Sequence, residues 1–386
     1  MTFEEARAQF PVLERFAYLN AGSNGPLPRA AVAAAQARLE RDLAEGRSGM
    51  AWVEEIREMR ERIRSGIAAV LGTSAELVAL TDSTTRGCQI VLAGLGLGAE
   101  DEIVTTDEEH FGLIGPLHAS GARVVVAEAN EEALLAAVTP RTRLIAVSHI
   151  LWTTGRRLDL ARLRQPAGPP LLVDGAQSAG AIPVDLAGAD WYTVSAQKWL
   201  CSVDQSGALY VRDPERLRVK LPSMYARLSH QVDGSFVPKE GARRFDAGWT
   251  GGPLLAGFAA ALGVHPEWRY EGAAAAAARC RDLLEPLVEV VTPPGHSTLV
   301  DSGSCASAPS GRAGSAISRS ATSSHTPSSA SRSIGCRPRT RLSNPVRASP
   351  RTRHSVVAMV GSAEPATAGC SVPNMKRRRF LSASAR

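Results

Sequence analysis

Two residues 24 positions apart carry the strongest chemical signal in the chain. Leu171-Leu-Val-Asp174 is an apolar run closed by an acid. Trp191-Tyr-Thr-Val-Ser195 is a second apolar run, followed closely by Lys198. An isolated Asp or Lys is usually a solvated surface charge, but a charge at the end of a buried run needs a partner. A lysine amine can condense with an aldehyde and later move protons at the neighbouring carbon. An acid nearby can keep a pyridinium nitrogen protonated, because opposite charges at contact distance favour the charged forms. The pair therefore predicts a pyridoxal 5'-phosphate (PLP) site with Lys198 as the Schiff-base lysine and Asp174 as the partner of the ring nitrogen.

Two other clusters have side chains of use to such a site. Leu80-Thr-Asp-Ser-Thr-Thr-Arg-Gly87 leads into an apolar helix expected to start near Cys88. Hydroxyls and backbone N–H groups at a helix N-terminus can cradle a phosphate or simply cap the helix. Thr105-Thr-Asp-Glu-Glu-His-Phe111 follows an apolar run and contains His110, whose flat ring could face a cofactor or merely pack locally. The six cysteines are dispersed, with no CxxC pair. That spacing supports neither a metal site nor a disulfide framework, and it fits a reducing cytoplasm.

The elements that must position these residues are legible as alternation. Ala30 to Leu43 and Trp52 to Val70 carry helical apolar spacing. Short apolar runs at 102–106, 123–127, 144–148, 171–174, 191–195 and 208–211 follow at helix-length intervals. Buried strands joined through helices give this pattern, so an α/β fold with a mainly parallel sheet and helices on both faces is expected. Ligands in such sheets sit at the C-terminal strand ends, where Asp174 and Ser195 fall.

Composition divides the chain. The net charge is +6, yet residues 301–386 hold 14 Lys and Arg against two acids, leaving 30 basic and 36 acidic groups before them. The first 300 residues are thus mildly acidic, and any nucleic-acid reading would have to rest on the tail. Twenty of those last 86 residues are Ser, and only ten are Ile, Leu, Val or Phe. So few apolar side chains cannot offset chain entropy, which predicts a segment unable to fold by itself. A basic Ser-rich tail accounts for this; translation out of frame accounts for it better, because Val290 to Val300 reads like a strand entering a domain that does not follow. No apolar run is long enough for a membrane span, and the N-terminus lacks the basic and apolar stretches of a secretory signal.

The strand–Asp174-Gly-Ala-Gln177 and Ser195-Ala-Gln-Lys198 pair resembles the class V aminotransferase family of fold-type I PLP enzymes. The family includes cysteine desulfurases, kynureninases and isopenicillin-N-epimerase-like proteins. The resemblance runs from about Phe16 to about Leu262. It implies a fold-type I PLP-dependent transferase with an incomplete or absent small C-terminal domain. It also implies Gln177 at the cofactor's phenolic oxygen, Ser195, Thr84 and Thr85 at its phosphate, and His110 stacked on its ring. Gln197 stands where many members have His. Thr250, in Arg244-Phe-Asp-Ala-Gly-Trp-Thr250, is one place later than the family's Thr that reaches a neighbouring subunit's cofactor, so a homodimer with shared sites is implied. Two departures stand out. Ser148-His-Ile-Leu-Trp-Thr-Thr-Gly155 lacks the Asn of desulfurases, and Leu200-Cys-Ser-Val-Asp-Gln-Ser-Gly207 lacks the usual Gly-Pro-x-Gly, so bulky side chains are expected to perturb the loop after Lys198.

The expected organisation is an N-terminal segment (1–15), a large PLP-binding domain (16–265), the start of a small domain (266–300) and the anomalous tail (301–386). The substrate expected is an amino acid, in a transaminase, epimerase or C–S lyase reaction. Tyr18-Leu-Asn-Ala-Gly-Ser-Asn-Gly-Pro-Leu-Pro28 looks closest to the epimerase-like branch. Desulfuration ranks low, because Cys305, Cys336 and Cys370 lie in the tail without a supporting motif. Arg347, in a faint echo of the family's carboxylate-gripping Arg motif, is a minor candidate. The alternative from another class is an inactive remnant of the fold whose basic tail binds anionic partners.

Overall fold

The computed structural model describes residues 1–302 and, as backbone alone, 354–357. The tail expectation and Arg347 therefore fall outside the described residues, apart from Asp301, Ser302 and that short strand. The helices are α1 (Phe3–Ala8), α2 (Arg29–Glu45), α3 (Gly49–Leu71), α4 (Thr84–Leu95), α5 (Phe111–Ala119), α6 (Glu131–Ala136), α7 (Leu160–Leu163), α8 (Gly252–Leu262) and α9 (Arg269–Leu284). Seven strands form the main sheet: β1 (Val78–Thr81), β2 (Glu102–Thr106), β3 (Arg123–Ala127), β4 (Thr142–Ser148), β5 (Leu171–Asp174), β6 (Trp191–Ser195) and β7 (Gly207–Val211). Their spatial order is β1-β7-β6-β5-β4-β2-β3. Strands β3, β2, β4, β5 and β6 pair in parallel, and β7 runs antiparallel to both β6 and β1. The mainly parallel α/β sheet expected from the sequence is present.

Strands β1, β2, β5, β6 and β7 are buried along their whole length, which is why their sequences are dominated by apolar residues. Alternation within each strand divides the core into two layers. Leu171, Val173, Tyr192 and Val194 pack with Ile63, Ile67, Leu255 and Phe258 on one face. Leu144, Ala146, Leu172, Trp191 and Leu209 pack with Cys88, Val91, Leu113 and Leu117 on the other. The parity that sends Leu172 toward α4 also sends Asp174 there, and the same holds for Ser148 on β4 and for Thr193 and Ser195 on β6. Register completes the alignment: Ser148 pairs with Asp174, and Asp174 with Thr193.

Helix α4 begins at Thr84, four residues before the expected start, because Ser83 caps it by accepting a hydrogen bond from Arg86 N–H at 3.2 Å. It can lie tightly on the sheet because position 87 is glycine: a Cβ there would stand 2.6 Å from Thr193 Cγ2. The strand expected within Val290 to Val300 is displaced. Strand β10 is Leu299–Ser302, bridged to Val290 and paired with β11 (His354–Val357), while β8 (Arg227–His230) and β9 (Phe236–Pro238) form a separate hairpin.

Candidate active site

A cavity opens at the C-terminal ends of β4, β5 and β6 against the N-terminus of α4. Its walls include Thr84, Thr85, His110, Asp174, Gln177, Ser195, Gln197 and Lys198. Eight of the nine site residues expected from sequence thus meet in one place. Thr250 does not. It lines a separate cavity with Arg60, Asp82, Arg86 and Gln205, because the segment 246–250 is tied down elsewhere: Ala247 N–H donates to Leu80 O at 2.8 Å and the Asp246 carboxylate is buried beneath it. Within one chain Thr250 does not reach the Lys198 cavity.

Asp174 is buried and accepts a hydrogen bond from Ala176 N–H on one oxygen at 2.8 Å. Among the described residues, its other oxygen accepts none. Burial raises its pKa above the ordinary range, opposed by the charge of Lys198. Burial likewise lowers the Lys198 amine, opposed by Asp174. The two make no ion pair, and the amine has no hydrogen-bond partner among the described residues. Space therefore remains between a buried acid with an open lone pair and a lysine inclined to shed its proton.

The turn after Asp174 depends on Gly175, where a Cβ would meet the Tyr192 ring at 2.2 Å and Thr193 O at 2.5 Å. Gln177 donates through Nε2 to Gly22 O at 2.9 Å and accepts from Trp199 Nε1–H at 2.9 Å, so it ties the loop before α2 to the lysine loop. Gly25 joins the same contact: its N–H donates to Gln197 O at 2.8 Å, and a Cβ there would stand 2.1 Å from Lys198 O. Ser195 Oγ donates to Gln197 Oε1 at 3.0 Å. His110 caps α5 by accepting from Gly112 N–H through Nδ1 and meets the Trp152 ring edge-on at 5.5 Å. At the head of α4, Ser83 serves Arg86, and the N–H groups of Thr84 and Thr85 have no partner among the described residues.

The perturbation expected after Lys198 is local. Cys201 and Gln205, neither of them glycine, adopt φ of 51° and 58°, a region that costs L-residues roughly 1–2 kcal/mol each. Burial pushes the Cys201 thiol up to about 12, so it packs rather than reacts.

Sequence reasoning missed Glu109. It sits inside the Asp107-Glu-Glu-His110 motif beside His110, yet its carboxylate turns inward and accepts from Ser148 N–H, Ser148 Oγ–H and Thr106 Oγ–H. Three acids in a row read as a solvated turn, and nothing in their order marks the one that points in. Trp152 was also passed over, since the segment containing it was noted only for the Asn it lacks.

Residues 17–292 match the family model described as Aminotransferase class-V. The chain belongs to the class-V aminotransferase family. Isopenicillin N epimerase of Streptomyces clavuligerus is 29% identical over 262 residues, 62% of each chain. The match thus spans less than two thirds of the length of that relative. A cysteine desulfurase of Klebsiella pneumoniae is 32% identical over 295 residues, 68% of this chain and 72% of that one. Among solved structures, a mutant of a cystine C–S lyase with glycine covalently linked to its PLP cofactor superposes with a TM-score of 0.70 at 29% identity, covering 76% of this chain and 85% of that one. These class-V neighbours establish the fold as that of fold-type I PLP-dependent enzymes.

Proposed function

We propose that the protein is a PLP-dependent enzyme acting on an amino acid, with Lys198 as the residue that carries the cofactor. The convergence of Lys198 and Asp174 in one cavity supports this reading most. The residues fit the group: an acid with an open lone pair, an unpaired amine and a helix N-terminus with free N–H groups each match one part of it. When bound, PLP supplies an electron-withdrawing ring that stabilises negative charge at the substrate's α-carbon.

Lys198, whose hold on its proton burial weakens, would carry the cofactor through its aldehyde and would take and return the substrate's α-proton. Asp174 keeps a proton on the ring nitrogen by pairing with it. Thr84, Thr85 and Ser195 hold the phosphate, with Gln197 behind Ser195 in the place of the family's His. His110, braced edge-on by Trp152, covers the ring. Gln177 faces the phenolic oxygen while its amide fixes the loop around Gly22. Thr250 serves the site of a second copy in a homodimer, which is why it stands outside its own cavity.

Among the reactions open to this machinery, cleavage of a carbon–sulfur bond by elimination or epimerisation at the α-carbon is favoured over desulfuration. Desulfuration needs a reactive thiol, and the three cysteines among the described residues are poor ones: burial raises Cys88, Cys201 and Cys280 alike. The test is to supply PLP to the purified full chain, record its visible spectrum, fix the cofactor with borohydride and map the modified residue. Modification of Lys198, with pyruvate and ammonia released from cystine or with racemised substrate, supports the reading. No fixed cofactor, or fixation at Lys220 or Lys239, overturns it and leaves the inactive remnant.

A further inference from the structure

Glu109 lies just behind the cavity wall, bonded to the lining residue Ser148, and has no part in the reaction described above. It is mostly buried behind the ends of β2 and β4, and it makes no ion pair among the described residues. Its donors are all neutral: Thr106 Oγ–H at 2.7 Å, Ser148 Oγ–H at 2.5 Å, and Ser148 N–H at 3.0 Å from one oxygen and 3.1 Å from the other. Ser148 is the register partner of Asp174 at the strand ends, and the next N–H, that of His149, donates to Asp174 O at 3.0 Å. Glu109 therefore pins the strand end directly beside Asp174.

We propose that Glu109 is a positioning residue that acts through Ser148 and Asp174, adding a second negative charge behind Asp174 that strengthens its hold on a protonated ring nitrogen. This rests on the reading of the cavity as a PLP site. The charged group facing Glu109 across the strand ends is Asp174; from α4 the facing titratable group is the buried Cys88 thiol, and from its own loop it is His110. With a like charge in front and no cation behind, burial lifts the carboxyl to about 7. A cation held by Asp174 reverses the balance and draws Glu109 into its charged form, since opposite charges stabilise one another strongly where water is scarce. Two carboxylates in series then act on the ring nitrogen, the nearer by contact and the farther by its field.

The experiment is a pH titration of the visible absorption of the PLP-loaded full chain, in the unmodified protein and in Glu109→Gln. Glutamine keeps the size and one acceptor oxygen for Ser148 N–H, so the charge is lost together with one of the two acceptors that Thr106 Oγ–H and Ser148 Oγ–H use. With that charge gone the protonated, cationic form of the bound chromophore is less favoured, and the midpoint should fall by about one pH unit. A structural role alone would change thermal stability and leave the midpoint in place. Ser148→Ala is the second variant: it removes one donor to the ionised carboxylate and should move the midpoint in the same direction by a smaller amount. A midpoint unmoved in Glu109→Gln overturns the inference, as does one unmoved in Ser148→Ala should the first variant fail to fold. A protein that develops no visible band with PLP overturns the underlying reading instead, so the two failures are distinguishable.

Discussion

Two of the buried aspartates, Asp174 at the end of β5 and Asp246 against β1, have surroundings that could hardly differ more. Asp246 accepts from Arg64 at 2.9 and 3.1 Å, from Arg60 at 2.9 Å and from Leu80 N–H at 2.8 Å. Those arginines, on α3, hold its pKa below the ordinary range despite burial. Among the described residues Asp174 accepts one hydrogen bond and has no ion pair, and its pKa is raised by the same burial that Asp246 overcomes. A carboxylate with every lone pair answered is part of the scaffold. One left half-answered at a cavity is a site waiting for a partner, and its incomplete satisfaction is the cost of function.

Lys198→Ala should abolish turnover and borohydride-fixed cofactor altogether, with unfolding by heat or urea almost unchanged; fixation at another lysine would dissolve the assignment. Asp174→Asn should keep the fold and lose orders of magnitude in turnover, several kcal/mol of transition-state stabilisation, as read from kcat on the loaded enzyme. A near-normal rate would mean that another group protonates the ring. Asp246→Asn should do the converse. It strands two buried guanidinium groups and should cost about 3–5 kcal/mol in urea unfolding.

The two acids should also respond oppositely to pH. The contribution of Asp246 is complete above the ordinary aspartate pKa of about 4 and disappears as the pH falls through its lowered value. Asp174 favours the fold most when protonated, below that ordinary value, and the advantage fades as the pH rises through its raised one. Acid unfolding of the cofactor-free protein should therefore shift to higher pH in Asp246→Asn and not in Asp174→Asn. The smallest effect expected is at the exposed Gln205: Gln205→Gly should relieve its left-handed backbone and gain about 1 kcal/mol in unfolding free energy. No gain would mean that the loop tolerates glutamine there without strain.

Which parts of this were legible beforehand follows from what each signal depends on. Strands β2 to β7 announce themselves as short apolar runs, most of them fully buried although β3 is partly exposed, and helices α2 and α3 because half-burial demands helical spacing. Asp174 and Lys198 stood out because charge at the end of such a run is anomalous. Strand β1 escaped notice, being four residues just ahead of a polar cluster. Asp246 and its two arginines escaped as well, since they lie more than a hundred positions apart in sequence and look like surface charges until the fold joins them. Glu109 was hidden by its neighbours: the direction a side chain takes in a turn depends on backbone geometry, which residue types do not encode. Thr250 was legible as a hydroxyl directed at a neighbouring subunit's site, and within its own chain it lines a cavity apart from Lys198.

One feature of the sheet bears on how the molecule comes into being. Edge strand β1 pairs only with β7, Val78 opposite Tyr210, and it feeds directly into Ser83 and the head of α4. A ribosome releases β1 well before β7 exists, and until Gly207–Val211 is made this strand has no partner in the sheet. Closing so long a loop is entropically unfavourable and slow. The head of α4 is thus secured through β1 only after the nascent chain has already delivered Lys198. Until then the half-made sheet shows an open edge, and that interval is when chaperones or aggregation would compete for it.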